Sequence, residues 1–186
     1  GKAIINRLLG YTPYIRSISR KSYPDLEKLN VEQLQGDIGD LEAVNQACSN
    51  CDIVLHVAAK TGGMWGTVDQ FHTTNVVGTQ NVIQACRQQG VAKLIHTSTP
   101  SLVYDGDADL MGVDESVPYP TRYQTAYQKT KAEAEQLVVK ACDEDLQVII
   151  LRPHLIWGPG DTHFAPRIIE RAKALRQVGD GKNRID

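Results

Sequence analysis

The chain has 186 residues, of which 41% are hydrophobic and 23% charged, and its formal net charge is −2 at pH 7. This length suffices for one domain with a single core, and the near-average composition excludes disordered, collagen-like and coiled-coil proteins. The charge balance provides no basic stripe for nucleic-acid binding, and no apolar run of about eighteen residues could span a membrane. Four cysteines are too few for a disulfide scaffold, so a reducing, cytoplasmic compartment is expected.

Hydrophobic periodicity predicts helices and strands that alternate along the chain. Helices are predicted over 1–9, 40–47, 68–88, 125–142 and 166–175. Strands are predicted over 14–19, 31–35, 52–57, 93–98 and 147–152. The segment between the fourth strand and the fourth helix is a long loop with three prolines, and loops of that length are usually functional.

Apolar strands separated by helices indicate βαβ units and a parallel sheet. The fold class is therefore α/β, as an open doubly wound sheet of the Rossmann type, because the chain is too short for an eight-unit barrel. The chain begins on a helix with no strand before it and stops on a turn that enters a strand. A fragment cut at both ends is expected, with a short protein that has frayed termini as the alternative.

Ligands of such sheets bind beyond the carboxyl ends of the strands. Tyr127 and Lys131 lie one helical turn apart beside that rim, and Ser98 and Thr99 follow a strand. A neighbouring ammonium favours the phenolate, which predicts a lowered pKa for Tyr127 and a role in moving the proton of an alcohol/ketone couple. A hydroxyl of Ser98 or Thr99 would hold the substrate oxygen, and a nicotinamide must carry the hydride. The alternative is that Tyr127 and Lys131 are only a solvent-exposed side-chain pair on the surface of a helix.

Several motifs together resemble the extended short-chain dehydrogenase/reductases, within the NAD-dependent epimerase/dehydratase superfamily, and most of all their 3β-hydroxysteroid dehydrogenase/isomerase-like branch. The resemblance covers nearly the whole chain, and the order and spacing of the motifs make it specific. The motifs are Gly36-Asp-Ile-Gly-Asp40, His56-Val-Ala-Ala59, Asn75-Val-Val-Gly-Thr79, His96-Thr-Ser-Thr-Pro100, Asp114-Glu-Ser-Val-Pro118, Tyr127-Gln-Lys-Thr-Lys131 and Leu151-Arg-Pro-His-Leu-Ile-Trp-Gly-Pro159.

The resemblance implies a role for each matching residue. Tyr127 looks like the general acid/base, Lys131 like its partner and a ligand of the nicotinamide ribose, and Thr99 like the catalytic hydroxyl, with Ser98 as the neighbouring fallback. The remaining implied cofactor-binding positions are Gly1, Asp37, Ile38, Ala58, Ala59, Lys60, Pro153 and Leu155. Gly1 would be the third, close-packing glycine of the family's Gly-x-x-Gly-x-x-Gly fingerprint, whose first two glycines are not in this sequence.

The resemblance also implies the domain plan and the assembly. Residues 1–176 would form an incomplete dinucleotide-binding domain of three α/β/α layers that lacks its first strand, and residues 177–186 would begin a substrate-binding region. A homodimer is expected through the helices at 68–88 and 125–142. No metal site is expected, because Cys48 and Cys51 have no second cysteine pair and the histidines lack metal-ligand spacing.

Arg20 closes the second strand of the family fold, where an acidic residue would favour NAD(H). An arginine can clamp a phosphate, so NADP(H) is preferred over NAD(H), unless Arg20 is only a solvated loop charge. The expected activity is interconversion of a secondary alcohol and a ketone, on a 3β-hydroxysteroid or 3-keto-acid type of substrate. The alternatives are a nucleotide-sugar epimerase or dehydratase and a non-catalytic dinucleotide-binding scaffold.

Overall fold

A computed structural model describes residues 1–61, 66–107, 110–161, 164–174, 176 and 180. The chain divides into two compact units, Gly1–Arg152 and Pro153–Asp186. The predicted domain boundary after residue 176 stays a prediction. The region predicted over 177–186 lies outside the described residues, apart from Asp180.

The first unit alternates helices and strands, as the periodicity predicts. Its helices are α1 (Lys2–Leu8), α2 (Pro24–Glu27), α3 (Leu41–Cys48), α4 (Val68–His72), α5 (Gly78–Gln88) and α6 (Ala126–Lys140). Its strands are β1 (Arg16–Ser19), β2 (Glu32–Gln35), β3 (Ile53–His56), β4 (Lys93–Thr97) and β5 (Gln147–Leu151). In the second unit, α7 (Phe164–Arg171) leads into a 3₁₀ turn, Ala172–Ala174.

The helix predicted over 68–88 is continuous but not uniform. A π-helical turn, Thr73–Val77, joins α4 to α5. The wider turn lies at Asn75, whose side chain is buried. Single π turns of this kind are common at functional sites.

The strands are parallel, which confirms the α/β class. They pair in two sheets among the described residues: β1 with β2, and β3, β4 and β5 in that spatial order. The register sets His56 opposite His96, and His96 opposite Ile150. The carboxyl ends of β3, β4 and β5 therefore lie along one edge, where residues that follow the strands come together.

The main core lies between the three-stranded sheet and helices α3, α5 and α6. Leu94 on β4 is fully buried and packs with Cys86 of α5 and Val138 of α6. The opposite face of this sheet carries Ile149 and Leu151, which are about half exposed within the unit. Alternate residues thus face opposite sides, and the helix-facing side is the one that also holds His56 and His96.

Among the described residues, no helix is both long enough and apolar enough to cross a bilayer.

Candidate active site

Helix α6 begins with a capping box that sets the position of Tyr127. The Thr125 hydroxyl accepts a hydrogen bond from the backbone N–H of Gln128 at 3.1 Å, and the Gln128 side chain accepts one from the N–H of Thr125 at 3.1 Å. The amide of Gln128 also donates to the carbonyl of Ser101 at 3.0 Å. This joins the first turn of α6 to the 3₁₀ turn, Pro100–Val103, that follows β4.

Tyr127 and Thr99 lie together beyond the carboxyl end of β4. Burial raises the pKa of Tyr127, and a hydrogen bond with the Thr99 side chain partly offsets that rise. Thr99 also caps the 3₁₀ turn, with its Oγ1 at 3.3 Å from the N of Ser101 and 3.0 Å from the Oγ of Ser101. The predicted lowering of the Tyr127 pKa is therefore wrong, because desolvation dominates and favours the neutral phenol.

Lys131 is buried, with only 3% of its surface exposed. Its Nζ donates to the carbonyl of Thr97 at 2.8 Å and lies 3.5 Å from the Nε2 of His96. Burial lowers the pKa of Lys131 to about 8, against an opposing effect of Glu135. The alternative of a solvated tyrosine–lysine couple on an exposed helix is thereby excluded.

Ser98 has different surroundings from Thr99. Its backbone N–H donates to the carbonyl of Leu151 at 2.6 Å, and its buried hydroxyl has no hydrogen-bond partner among the described residues. The buried Glu135 pairs with Arg152 at 2.5 Å. Of the two hydroxyls that the sequence leaves open, Thr99 is the one that contacts Tyr127.

The loop after β3 is held against α6 by Asn75. The Asn75 side chain accepts from the N–H of Lys60 at 2.8 Å, and it donates to the carbonyl of Lys60 and to the Thr130 hydroxyl, both at 3.1 Å. The neighbouring Ala58 is exposed, and Ala59 is partly buried. The predicted cofactor-lining segment thus lies at the strand-end edge and is fixed there by the π turn.

The residues that follow β1 and β2 differ in what they offer a ligand. Arg20 and Asp37 are exposed, and the carbonyl of Arg20 accepts from the Gln35 side chain at 3.0 Å. Ile38 points into the core instead, where a Cβ at Gly78 would come within 2.7 Å of its Cδ1. Its side chain therefore packs inward, and the predicted place of Ile38 beside an adenine stays a prediction.

The remaining predicted cofactor positions are Gly1, Pro153 and Leu155. A Cβ added to Gly1 would meet no atom within 4 Å, so the close packing expected of a fingerprint glycine is not seen there, because no described neighbour lies against it. Pro153 and Leu155 belong to the second unit, and their contact with a nicotinamide stays a prediction. In the described part of the chain, no group of three or more His, Cys, Asp or Glu side chains could hold a metal ion.

Sequence reasoning missed three side chains that surround Lys131. His56 and His96 lie inside apolar strand segments, and Glu135 lies one turn beyond Lys131 on α6. The available signal was polarity at positions where strand alternation predicts burial. A buried polar group requires a partner, so such positions point to a structured network.

Comparison with known proteins connects this geometry to a family. The model of the 3-beta hydroxysteroid dehydrogenase/isomerase family matches residues 1–185. A 2-alkyl-3-oxoalkanoate reductase of Stenotrophomonas maltophilia is 44% identical over 190 residues, which cover 100% of this chain and 57% of that protein. A protein of the same name from Shewanella oneidensis is 40% identical over 195 residues, with 100% and 50% coverage.

A solved structure is also similar to this chain in fold. The chain superimposes on MoeE5 in complex with UDP-glucuronic acid and NAD with a TM-score of 0.77 and 29% identity, over 92% of this chain and 57% of the other. The chain spans about half the length of the curated relatives that it matches.

Proposed function

The chain belongs to the 3-beta hydroxysteroid dehydrogenase/isomerase family, and we propose that it forms the catalytic part of a nicotinamide-dependent reductase that converts the ketone of a 3-oxo acid to a secondary alcohol. One observation carries the proposal: Tyr127 contacts Thr99, while Lys131 lies buried one turn further along α6. A 3-oxo acid is preferred to a sterol, because both bacterial relatives described above are named 2-alkyl-3-oxoalkanoate reductases.

The proton chemistry follows from the environment of Tyr127. Burial raises its pKa, so the phenol is neutral near pH 7 and is set to donate its proton to a carbonyl oxygen. The Thr99 hydroxyl would hold the same oxygen. Lys131 is charged over most of the neutral range, since its pKa is about 8, and it would stabilise the negative charge left on the tyrosine oxygen.

The donor set at this edge fits a nicotinamide dinucleotide. Lys131 faces two protein acceptors, Thr97 and His96, and an ammonium has three N–H groups, so one remains for a ribose hydroxyl. Lys60, Ala58 and Ala59 would line the cofactor from the loop after β3. When bound, the nicotinamide supplies the hydride that no side chain can carry.

We propose NADP(H) rather than NAD(H) as the preferred cofactor. Arg20 is exposed at the end of β1, and the bond from Gln35 to its carbonyl fixes the backbone there. A guanidinium can bind a 2′-phosphate through two hydrogen bonds. Arg20→Ala should raise the KM for NADPH by about tenfold or more and leave that for NADH within about twofold. Equal changes for both cofactors would reject the preference.

The activity is tested on the full-length protein with NADPH and a 2-alkyl-3-oxoalkanoate, from the loss of nicotinamide absorbance. Tyr127→Phe should lower kcat by about a hundredfold or more, because the proton donor is removed. Tyr123→Phe is the matched control, since it removes a hydroxyl from a partly buried tyrosine four residues earlier. Undiminished turnover in Tyr127→Phe would refute the proposed role.

A nucleotide-sugar epimerase or dehydratase is the second candidate, because the superimposed MoeE5 structure holds UDP-glucuronic acid and NAD. A dehydratase needs an acidic pair beside the catalytic hydroxyl, whereas Thr99 is followed by Pro100 and Ser101. Incubation of the full-length protein with UDP-glucuronic acid separates the two activities. An altered sugar, with no oxidation of NADPH by oxo acids, would favour this candidate.

We also propose a homodimer through the helices at 68–88 and 125–142. Each carries an exposed apolar side chain, Val68 at 64% and Val139 at 52%. Exposed apolar side chains are typical of protein–protein interfaces when they form a contiguous patch. Light scattering on the full-length protein measures the mass, and a monomer at assay concentration would contradict the dimer.

A further inference from the structure

Two buried histidines lie side by side next to Lys131. His56 on β3 and His96 on β4 are register partners, with ring centroids 5.1 Å apart. They are only 5% and 1% exposed. Neither is used by the proton chemistry proposed above, and buried imidazoles without a role are uncommon because each needs a hydrogen-bond partner.

The hydrogen bonds of His56 fix where its proton lies. The Thr79 hydroxyl donates its single proton to the carbonyl of Asn75 at 2.6 Å. Its oxygen can then only accept from the Nε2 of His56, 2.9 Å away. His56 is therefore the tautomer protonated on Nε2, and this nitrogen donates to Thr79 of α5.

His96 must carry its proton on the other nitrogen. Its Nε2 lies 3.5 Å from the ammonium of Lys131, and an ammonium only donates, so this nitrogen is the bare acceptor. The proton then lies on Nδ1, which has no hydrogen-bond partner among the described residues. The chain thus leaves one buried donor unpaired in order to present an acceptor to Lys131.

We propose that His96 is a positioning residue for Lys131. Its bare Nε2 and the carbonyl of Thr97 hold two of the three ammonium N–H groups, so that the third points away from β4. This rests on the proposed function, since it is that function which gives Lys131 a catalytic role. His56 packs against His96 but contacts Thr79, so it takes no direct part.

Titratable groups from three elements lie around Lys131. His96 faces it from β4, His56 lies behind on β3, and Glu135 lies one turn further along α6. Both imidazoles are neutral near pH 7, because burial lowers the pKa of each to about 3, with the Lys131 charge adding to the effect. A neutral acceptor stabilises the ammonium, so removing His96 should lower the pKa of Lys131 below about 8.

The test uses the full-length protein and follows the Lys131 side chain by NMR as pH is varied. In His96→Leu the midpoint for Lys131 should fall by about one pH unit, because an acceptor of a charged donor is lost. His96→Gln, whose side-chain oxygen reaches the place of Nε2, should restore the midpoint. His56→Leu is the matched control, since it removes an equally buried imidazole from the next strand and should leave the midpoint in place.

The same variants are assayed for turnover. His96→Leu should lower kcat by about tenfold near neutral pH, with KM for the oxo acid within about threefold and the basic limb of the kcat profile moved to lower pH. His96→Gln should recover most of kcat. If His96→Leu does not fold, His96→Asn takes its place, because asparagine reaches the position of Nδ1 but not that of Nε2.

Each outcome decides the inference separately from the proposed function. An unmoved Lys131 midpoint in His96→Leu, an equal shift in His56→Leu, or no recovery in His96→Gln would overturn it. A wild-type protein without reductase activity would remove the proposed function, while the NMR midpoints would still decide whether His96 holds Lys131.

Discussion

At the scale of single residues, Glu135 links the candidate site to the rest of the first unit. It is 1% exposed, and it accepts hydrogen bonds from Arg152 at 2.5 Å and from the Tyr119 hydroxyl at 2.7 Å. Burial opposes its ionisation, but the hydrogen bonds that it accepts, foremost from Arg152, outweigh burial and lower its pKa. One carboxylate therefore joins α6, the end of β5 and the long loop.

Removing this carboxylate should destabilise the protein strongly. Glu135→Ala leaves the mostly buried Arg152 without its partner, and loss of one member of a buried pair costs about 3 kcal/mol or more. The control is Glu133→Ala, two residues earlier, which removes a partly exposed partner of Lys129 at 3.8 Å and should cost under about 1 kcal/mol. Urea unfolding at pH 7 measures both changes, and equal losses would contradict the role of burial.

Residue types at strand ends and helix starts pointed to Tyr127, Lys131 and a hydroxyl of Ser98 or Thr99. The choice of Thr99 came from the family resemblance. Their contacts were not predictable, since burial depends on packing between distant elements. The hydroxyls of Ser98 and Thr99 have the same chemistry but different surroundings, because successive residues after a strand point to opposite sides. The Oγ1 of Thr99 lies 3.0 Å from the Oγ of Ser101, whereas the buried hydroxyl of Ser98 has no partner among the described residues. Ile38 is the converse case, where a position chosen for ligand contact turns inward against Gly78.

At the scale of elements, the start of α6 decides where Tyr127 lies. Thr125→Ala removes the capping hydroxyl and should lower the free energy of unfolding by about 1 kcal/mol. It should also lower kcat by about tenfold, because the loosened first turn misplaces the phenol. Thr125→Ser keeps the hydroxyl and should restore both values. A loss of stability with unchanged kcat would show that the cap does not position Tyr127.

Periodicity predicted the longer helices and all five strands, because alternation and helical spacing are local properties. It did not predict α2, a single turn that begins at Pro24, or the π turn between α4 and α5. A π turn adds one residue to a helix without breaking its apolar stripe. The bonds from Asn75 to Lys60 and Thr130 that accompany it join distant segments, and a single sequence does not reveal them.

At the scale of the whole molecule, the order of strands is a non-local property. The sequence predicted parallel pairing from βαβ alternation, and the pairing of β3, β4 and β5 agrees with it. The division into two sheets and the register that sets His56 opposite His96 depend on contacts about forty residues apart. The candidate site is a product of this register, because it brings three strand ends to one edge.

The two buried histidines should make the stability of the whole unit sensitive to mild acid. Their pKa values of about 3 lie below the ordinary 6.5, so the unfolded chain binds protons that the folded chain does not. Stability is therefore fully present above about pH 6.5 and falls as pH decreases towards 3, by at most about 2.7 kcal/mol per pH unit for two groups. Protonation of Glu135 lowers the stability in the same direction, but only below the pH range in which a glutamate ordinarily titrates.

Urea unfolding between pH 7 and pH 4.5 measures this dependence. His96→Gln should reduce the slope by about half, since one of the two groups no longer takes up a proton on unfolding. His72→Gln is the control, because His72 is exposed on α4 and outside the buried pair. The wild-type slope should persist in that variant. A wild-type stability that stays level down to pH 4.5 would mean that the imidazoles bind protons in the folded state, and the tautomers assigned to His56 and His96 would then be wrong.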